Sequence, residues 1–200
     1  MGNAQDTKAK IIEEAAHLFN QQGYAGASMA DIMAATGLKK GGIYNHFESK
    51  DALAIAAFDF AVHQVRHRYL QSLKGKRGAI ARLTAILQTF STSLDDDNAP
   101  LKGGCPLLNT AIDSDDTHPA LRERTRQAME EWRLLLCRIV QQGIDQGELQ
   151  PDSSPDAIAL ILIATLEGAM MLAKLYGDRQ PLQHAQAHLE QYIASLRSPP

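Results

Sequence analysis

The clearest indication of a chemical function in the sequence is a pair of lysines followed by a pair of glycines, Lys39–Lys40–Gly41–Gly42. Lysine side chains bind phosphate groups and the edges of guanine bases. Each glycine weakens a helix by about 1 kcal/mol relative to alanine, so a buried structural helix would rarely contain two in a row. Missing side chains suit a backbone that approaches a nucleic-acid duplex closely. Tyr44 can direct its hydroxyl to phosphate while its ring packs inward.

The histidines indicate a second chemistry less specifically. His63 with His67, and His184 with His188, have the i, i+4 spacing of helical metal ligands. Neither pair has the glutamate of an H-E-x-x-H motif, and no cysteine or carboxylate cluster accompanies them at ligand spacing. We interpret both pairs as solvated helix faces, and we expect neither a metal ion nor a cofactor.

Cys105 follows two glycines and precedes Pro106, which places it at the start of a predicted short helix. The helix dipole would favour its thiolate and raise its reactivity. A small buried capping residue is the alternative that we favour. A catalytic role with His118 and Asp113 as helpers lacks a supporting motif. Two cysteines, Cys105 and Cys137, do not make a disulfide scaffold, and we expect both to be thiols in a reducing cytosol.

Short helices should position the lysines. Apolar residues recur at helical spacing over residues 6–22, and Gly23 should end that helix. Ser28 has the character of an N-cap, with Asp31 in the capping-box position of a short helix that ends at Gly37. A second short helix follows after a turn of a few residues. Two short helices joined by a glycine-containing turn predict a helix-turn-helix over residues 28–47.

The rest of the chain also has helical periodicity, and no stretch reads better as a strand. Ser49 should cap a long helix that runs to about Leu73. At the start of this helix, backbone amides, the helix dipole and Lys50 together favour phosphate. We expect an all-α fold of about nine helices. The remaining helices are predicted over residues 77–94, from 105 or 106, and over 119–146, 156–176 and 182–196, with polar breaks at 95–100 and 113–119.

The segment GGIYNHFESKDAL resembles the TetR-family pattern of a small residue, an apolar residue, Tyr, any residue, His, Phe, then Lys and Leu. The resemblance is dense over about 47 of the 200 residues. Ser28 stands where the family usually has threonine, which is a conservative departure. Further positions fall where the family has its helix-turn-helix core and turns: Ala16, Leu18, Phe19, Gly23, Tyr24, Ile32 and Gly37.

The resemblance implies a homodimeric regulator with a helix-turn-helix domain over residues 1–50 and a helical effector-binding and dimerisation domain over residues 51–200. Such a protein, most often a repressor, leaves a palindromic operator when a small molecule fills its C-terminal domain. Similar Gly-Cys segments in TetR-type regulators that respond to electrophiles imply release by modification of Cys105. The residues implied to contact double-stranded DNA are Ser28, Lys39, Lys40, Gly41, Tyr44, His46 and Lys50.

Effector and dimer contacts are indicated only by apolar side chains. Each candidate for the pocket is more often a plain core residue, and Trp132 is the strongest of them. The segment 157–176 is apolar on nearly all sides, which implies burial against more than one neighbour and a four-helix dimer interface with the last helix. The pocket candidates are Phe58, Phe90, Cys105, Leu108, Trp132 and Met170. The interface candidates are Leu160, Ala164, Gly168, Met171, Leu189 and Tyr192.

Charge and composition agree with these expectations. The net charge is −3, but residues through Gly78 have 10 Lys and Arg against 7 Asp and Glu, a surplus of +3, whereas the rest has 10 against 16, or −6. Such a division is expected when only the first part meets phosphate. No long apolar run or signal peptide is evident, so we expect a soluble, cytoplasmic protein. A helical adaptor without DNA affinity should have a disrupted recognition segment, and Lys39–Lys50 is intact.

Overall fold

A computed structural model describes residues 4–94 and 101–199. The described residues form nine helices and no strand beyond one isolated bridge between Leu149 and Arg197, which confirms the predicted all-α class. The predicted break at 95–100 lies outside the described residues. The helices are α1 (Ala4–Gly26), α2 (Met29–Thr36), α3 (Lys40–Tyr44), α4 (Lys50–Ser72), α5 (Ala79–Ser91), α6 (Pro106–Ser114), α7 (Pro119–Asp145), α8 (Pro155–Tyr176) and α9 (Gln180–Ser195).

The predicted capping box at the start of α2 is confirmed. The Ser28 hydroxyl oxygen accepts a hydrogen bond from the Asp31 amide at 3.2 Å, and the Asp31 carboxylate accepts one from the Ser28 amide at 2.8 Å. The Ser28 hydroxyl also donates to the Asp31 carboxylate at 2.6 Å, and this bond, together with that from the Ser28 amide, holds the pKa of Asp31 below its usual value. Gly37 ends the helix in the left-handed conformation with φ 71°, which glycine adopts without steric cost.

The first and fourth helices begin and end near the predicted positions. Gly23 interrupts α1 with φ 76°, as expected, but a further turn continues to Gly26 because the Ala27 amide donates to the Gly23 carbonyl at 3.1 Å. Ser49 caps α4 as predicted, and its hydroxyl oxygen accepts from the Ala52 amide at 3.0 Å.

The start of α5 depends on a residue far along the chain. The Glu148 carboxylate accepts hydrogen bonds from the amides of Ala79 at 2.5 Å and Ile80 at 3.1 Å. These are two of the four amides that a helix start leaves without an internal partner. A carboxylate at this place also complements the helix dipole. The helix therefore begins at Ala79 rather than at the predicted residue 77.

The chain divides into two compact units. Unit 1 contains the described residues of Met1–Val65 and Ala99–Ala128, and unit 2 contains those of Arg66–Asn98 and Met129–Pro200. These units do not coincide with the expected domains 1–50 and 51–200, which remain a prediction based on function rather than contacts. The core of unit 1 includes Ile11, Ile32, Ile43, Phe47, Leu53 and Leu101. In unit 2, α8 and α9 pack together and both pack against α5.

Within the described part of the chain, α8 is the one helix that is long and apolar enough to cross a membrane by length and composition. Half of its apolar window is buried inside the protein, as is usual for a core helix. Its other apolar face is exposed, including Leu160 at 50% and Met171 at 49%. A helix that is apolar all round has two surfaces to cover, and the protomer covers one of them.

Candidate nucleic-acid interface

The orientation of α3 follows from one buried side chain. Ile43 is completely buried in the core of unit 1, together with Phe47. A helix of five residues has little stability of its own, so this packing determines which face is turned outward. Lys39, Lys40 and Gly41 lie on that outward face and are all exposed. The helix-turn-helix therefore presents its two lysines to solvent at the start of its second helix.

The two glycines of α3 have different surroundings. A Cβ atom added to Gly41 would meet no atom within 4 Å, whereas one added to Gly42 would lie 3.6 Å from Cβ of Leu38. Both positions would accept alanine without a steric conflict inside the protein. Packing within the protomer therefore does not require a glycine at position 41, although alanine would stabilise the helix. Close approach of another molecule would explain it.

Three other predicted contact residues, Tyr44, His46 and Ser28, differ in their exposure and contacts. Tyr44 is 39% exposed, and the Lys40 ammonium lies 5.6 Å from the centroid of its ring. His46 is half-buried. Ser28 is exposed, although its hydroxyl already donates to the Asp31 carboxylate at 2.6 Å. Apart from Lys50, the predicted contact residues belong to the α2–α3 segment and its flanking turns.

Lys50, which the sequence predicts to contact phosphate, also makes contacts within unit 1. Its ammonium donates to the Tyr24 carbonyl at 2.5 Å and lies 4.3 Å from the centroid of the Tyr24 ring. It also lies 5.9 Å from the centroid of Phe19. The side chain therefore joins the start of α4 to the end of α1. The 26-residue separation along the chain left no local signal for this contact.

A polar clasp, formed by Tyr24, Lys50, Asp51, Asp113 and His118, surrounds this contact within unit 1. The Tyr24 hydroxyl donates to the Asp51 carboxylate, and its backbone amide donates to Asp113 at 2.7 Å. Burial, together with the hydrogen bond to Asp51, raises the pKa of Tyr24 to about 12, so the hydroxyl remains a donor at neutral pH. His118 packs edge-on against the Tyr24 ring at 4.8 Å, and its Nδ1 accepts from the Leu121 amide, capping α7.

The Gly-Gly-Cys segment packs closely on α1. Asn20 donates to the carbonyls of Lys102 at 2.8 Å and Gly104 at 3.0 Å. Gly103 has φ 103°, and an added Cβ would lie 2.7 Å from the Asn20 carbonyl oxygen. Close approach of two backbones thus explains a glycine at position 103. Cys105 is the N-cap of α6, followed by Pro106 as predicted, and is 9% exposed.

The predicted effector residues are divided between the two units. Phe58, Cys105 and Leu108 belong to unit 1, and Phe90, Trp132 and Met170 belong to unit 2. Phe58 lines a cleft of about 30 Å³ between α1, α4 and α6, which has room for one or two water molecules. This volume is far below that of a typical ligand pocket. A single pocket that contains all six residues stays a prediction.

The predicted dimer residues differ in exposure. On α8, Leu160, Ala164 and Met171 are exposed and Gly168 has open space beside its Cα atom. Tyr192 on α9 is half-buried. Leu189 is completely buried within its own protomer, so its side chain is not part of any surface that a partner could touch. From the sequence, the apolar face of α9 could have packed against a partner or against its own protomer. The packing of α9 on α5 and α8 shows that Leu189 faces its own protomer.

Comparisons with known proteins cover nearly the whole chain. Residues 11–57 match the family described as bacterial regulatory proteins of the tetR family, and residues 79–189 match the tetracyclin repressor-like C-terminal domain. The first match contains the helix-turn-helix and its lysines. The second extends over more than half of the chain, which places the C-terminal helices in the same family as the N-terminal ones.

Individual relatives agree with these matches. A TetR transcriptional regulator from Chloroflexus aurantiacus is 49% identical, with a TM-score of 0.93 and 97% of each chain covered. The transcriptional repressor DhaR of a Mycobacterium species is 27% identical over 86% of this chain and 84% of its own. The Escherichia coli repressor NemR is 26% identical over 95% of each chain, and the structure of its reduced form has a TM-score of 0.83. The chain belongs to the TetR family of transcriptional regulators.

Proposed function

We propose that this regulator is a ligand-responsive repressor that binds a palindromic operator as a homodimer in the cytoplasm. Residues 1–50 would bind DNA, and residues 51–200 would bind the effector and form the dimer. The observation that carries the proposal is the outward face of α3, where Lys39, Lys40 and Gly41 are exposed while Ile43 is fixed in the core. Repressors among the relatives support the direction of regulation. We assign no catalytic role to the chain.

The dimer would form through the exposed stripe of α8. Leu160, Ala164, Gly168, Met171 and Leu175 follow one another at intervals of three or four residues, which places them on one face of the helix. Leu160, Met171 and Leu175 are about half exposed or more, at 50%, 49% and 72%. Small residues between them allow close helix packing. A two-fold interface on this stripe would place the helix-turn-helix segments of the two protomers, here called the reading heads, at the two half-sites of an operator.

On DNA, the seven predicted contact residues would have different roles. Lys39 and Lys40 would reach base edges and phosphates, and Gly41 would allow the backbone to approach the duplex. Ser28, Tyr44 and His46 would contact the flanking phosphates. Lys50 would act mainly by fixing the start of α4 through Tyr24, so that the free amides of its first turn face phosphate.

Release would follow from movement of α4. An effector bound in the C-terminal part would tilt this helix and change the separation of the two reading heads. The Tyr24–Asp51 hydrogen bond holds the beginning of α4 to the end of α1, so a tilt would be passed directly to the helix-turn-helix. Bound-state structures with unchanged head separation would contradict this mechanism.

The DNA fragments retained by the purified protein should contain a palindromic sequence. On that operator, Lys39→Ala should relax sequence preference by about 1–3 kcal/mol if the side chain reads a base. Lys50→Ala should weaken operator and random DNA alike, because Lys50 orients a phosphate site. Fluorescence anisotropy over a series of salt concentrations measures both effects, and each lost phosphate contact lowers the log–log slope by about one.

Lys74→Ala is the matched control, since Lys74 is exposed after the end of α4 and outside the helix-turn-helix. Its operator affinity should equal that of the wild type. Retention of DNA without sequence preference, or equal losses in Lys39→Ala and Lys74→Ala, would contradict the proposal. No retention of DNA at all would favour a helical adaptor.

Gly41→Ala should separate folding from DNA binding. The added methyl group has open space within the protein and improves helix propensity by up to about 1 kcal/mol, so the melting temperature should stay equal or rise. Operator affinity should fall by about tenfold, or 1.4 kcal/mol, because the methyl group meets the duplex. Gly42→Ala, which faces Leu38, is the control and should have a smaller effect on affinity. Unchanged operator binding by Gly41→Ala would contradict the close approach.

A second route of release would be modification of Cys105 by an electrophile. Its place at the N-terminus of α6 supports this route, because a helix N-terminus favours a thiolate. The likeness to NemR, whose structure is described as a reduced form, also supports it. The thiolate sulfur would add to an electrophilic carbon, for example of a quinone, and the ring would take up a proton. The bulk added at a buried N-cap would displace α6 from α1.

Treatment with a quinone should release operator DNA from the wild type but not from Cys105→Ser. Cys137→Ser is the control and should respond like the wild type, because burial raises the pKa of the Cys137 thiol and keeps it protonated. Gel shifts before and after treatment measure the release, and intact-protein mass spectrometry of the wild type and the two variants shows which cysteine carries the adduct. Equal release from Cys105→Ser and wild type would eliminate this route.

A further inference from the structure

Three aromatic rings form a stack within unit 2. The Trp132 ring of α7 lies 6.0 Å from the Phe90 ring of α5 at an interplanar angle of 9°, and 6.2 Å from the Tyr69 ring of α4 at 24°. Phe90 is buried, with 2% of its surface exposed, whereas Tyr69 and Trp132 are half-buried. The stack therefore has one closed end at Phe90 and an accessible edge formed by the other two rings.

Two hydrogen-bond donors near this stack are buried without an acceptor among the residues that the structure describes. They are Nε1 of Trp132 and one terminal nitrogen, Nη1, of Arg68. The other terminal nitrogen of Arg68 donates to the Thr92 hydroxyl at 2.7 Å. Since Thr92 follows Phe90 by two residues, the guanidinium and the aromatic stack both lie at the last turn of α5. Buried donors of this kind are rare in proteins because an unmade hydrogen bond is costly.

We propose that the stack and these two donors bind a planar aromatic carboxylate, which is the class of effector that this chain senses. This inference rests on the proposed function, because it names the ligand of the C-terminal part. The carboxylate would accept hydrogen bonds from Arg68 Nη1 and Trp132 Nε1. The ring would pack against the accessible edges of Tyr69 and Trp132.

The two features select the ligand class together. A guanidinium forms its strongest hydrogen bonds with carboxylate and phosphate oxygens, so a neutral aromatic molecule would offer Nη1 of Arg68 a weaker acceptor than a carboxylate would. An aliphatic acid would supply the charge but not the flat surface that aromatic rings prefer. An aromatic acid supplies both the negative charge and the flat ring in one molecule, whereas a small hydrophilic anion supplies only the charge.

Trp132 is the only tryptophan in the chain, so its fluorescence reports on this site alone. Benzoate serves as the probe because it does not absorb at the red edge of the tryptophan absorption band, where Trp132 is excited. Titration into the full-length protein without DNA should give a saturable change in emission. Benzamide, the neutral analogue, and cyclohexanecarboxylate, the non-aromatic acid, should each require at least about tenfold higher concentrations for half-saturation, the factor expected when a charged hydrogen bond is lost.

Arg68→Gln should raise the half-saturating benzoate concentration by about tenfold or more. Arg66→Gln is the matched control, since Arg66 lies two residues earlier on α4, is exposed and pairs with exposed Glu131; its titration should match that of the wild type. Unchanged circular dichroism would show that both variants fold. No saturable change with benzoate, or equal responses to benzoate and benzamide, or an unaltered Arg68→Gln titration would each overturn the proposal.

Because this titration contains no DNA, its outcome is separate from that of operator binding. A protein that binds its operator but not benzoate would retain the proposed function and lose this effector class. A protein that binds benzoate but selects no operator would retain the site and lose the regulatory role.

Discussion

Burial of Ile43 is the constraint on which the candidate DNA-binding surface depends. A five-residue helix that begins with lysine and two glycines has no stability of its own, so only its contact with the core of unit 1 keeps it formed and oriented. With Ile43 and Phe47 held beside Ile11 and Ile32, the lysines can lie nowhere but outside. The same contact connects recognition to folding, since any loss of the core would also displace the lysines.

The helix-turn-helix is joined to the rest of unit 1 by polar contacts at two places along α1. In its second half, Asn20 donates to the carbonyls of Lys102 and Gly104, which precede α6. At its end, Tyr24 binds Asp51 on α4 and Asp113 on α6. Hydrogen bonds are directional, so these contacts permit fewer arrangements than apolar packing alone. A shift of α4 or α6 would therefore move the DNA-binding helices without any change in their core.

Local signals in the sequence were sufficient for the helices and for the outward lysines. Ser28 with Asp31, Gly37 and Ser49 act within a few residues of the backbone groups that they bind or terminate, so sequence alone predicted them. Contacts between distant residues were not accessible in this way. Lys50 binds a carbonyl 26 residues away, and Glu148 caps a helix that begins 69 residues earlier. Leu189 was assigned to a partner surface because periodicity identifies an apolar face but not which neighbour covers it.

In the proposed function, the lysine face of α3 enters the major groove of DNA in each of two protomers. Methylation protection of guanine N7 on an operator-containing duplex tests it most directly, because this atom is accessible only from the major groove. We expect two protected patches related by two-fold symmetry and centred about one helical turn apart, or a small multiple of it, with two protein chains bound per pair of patches. Protection of a single patch, or full reactivity of guanine N7 beneath bound protein, would contradict it.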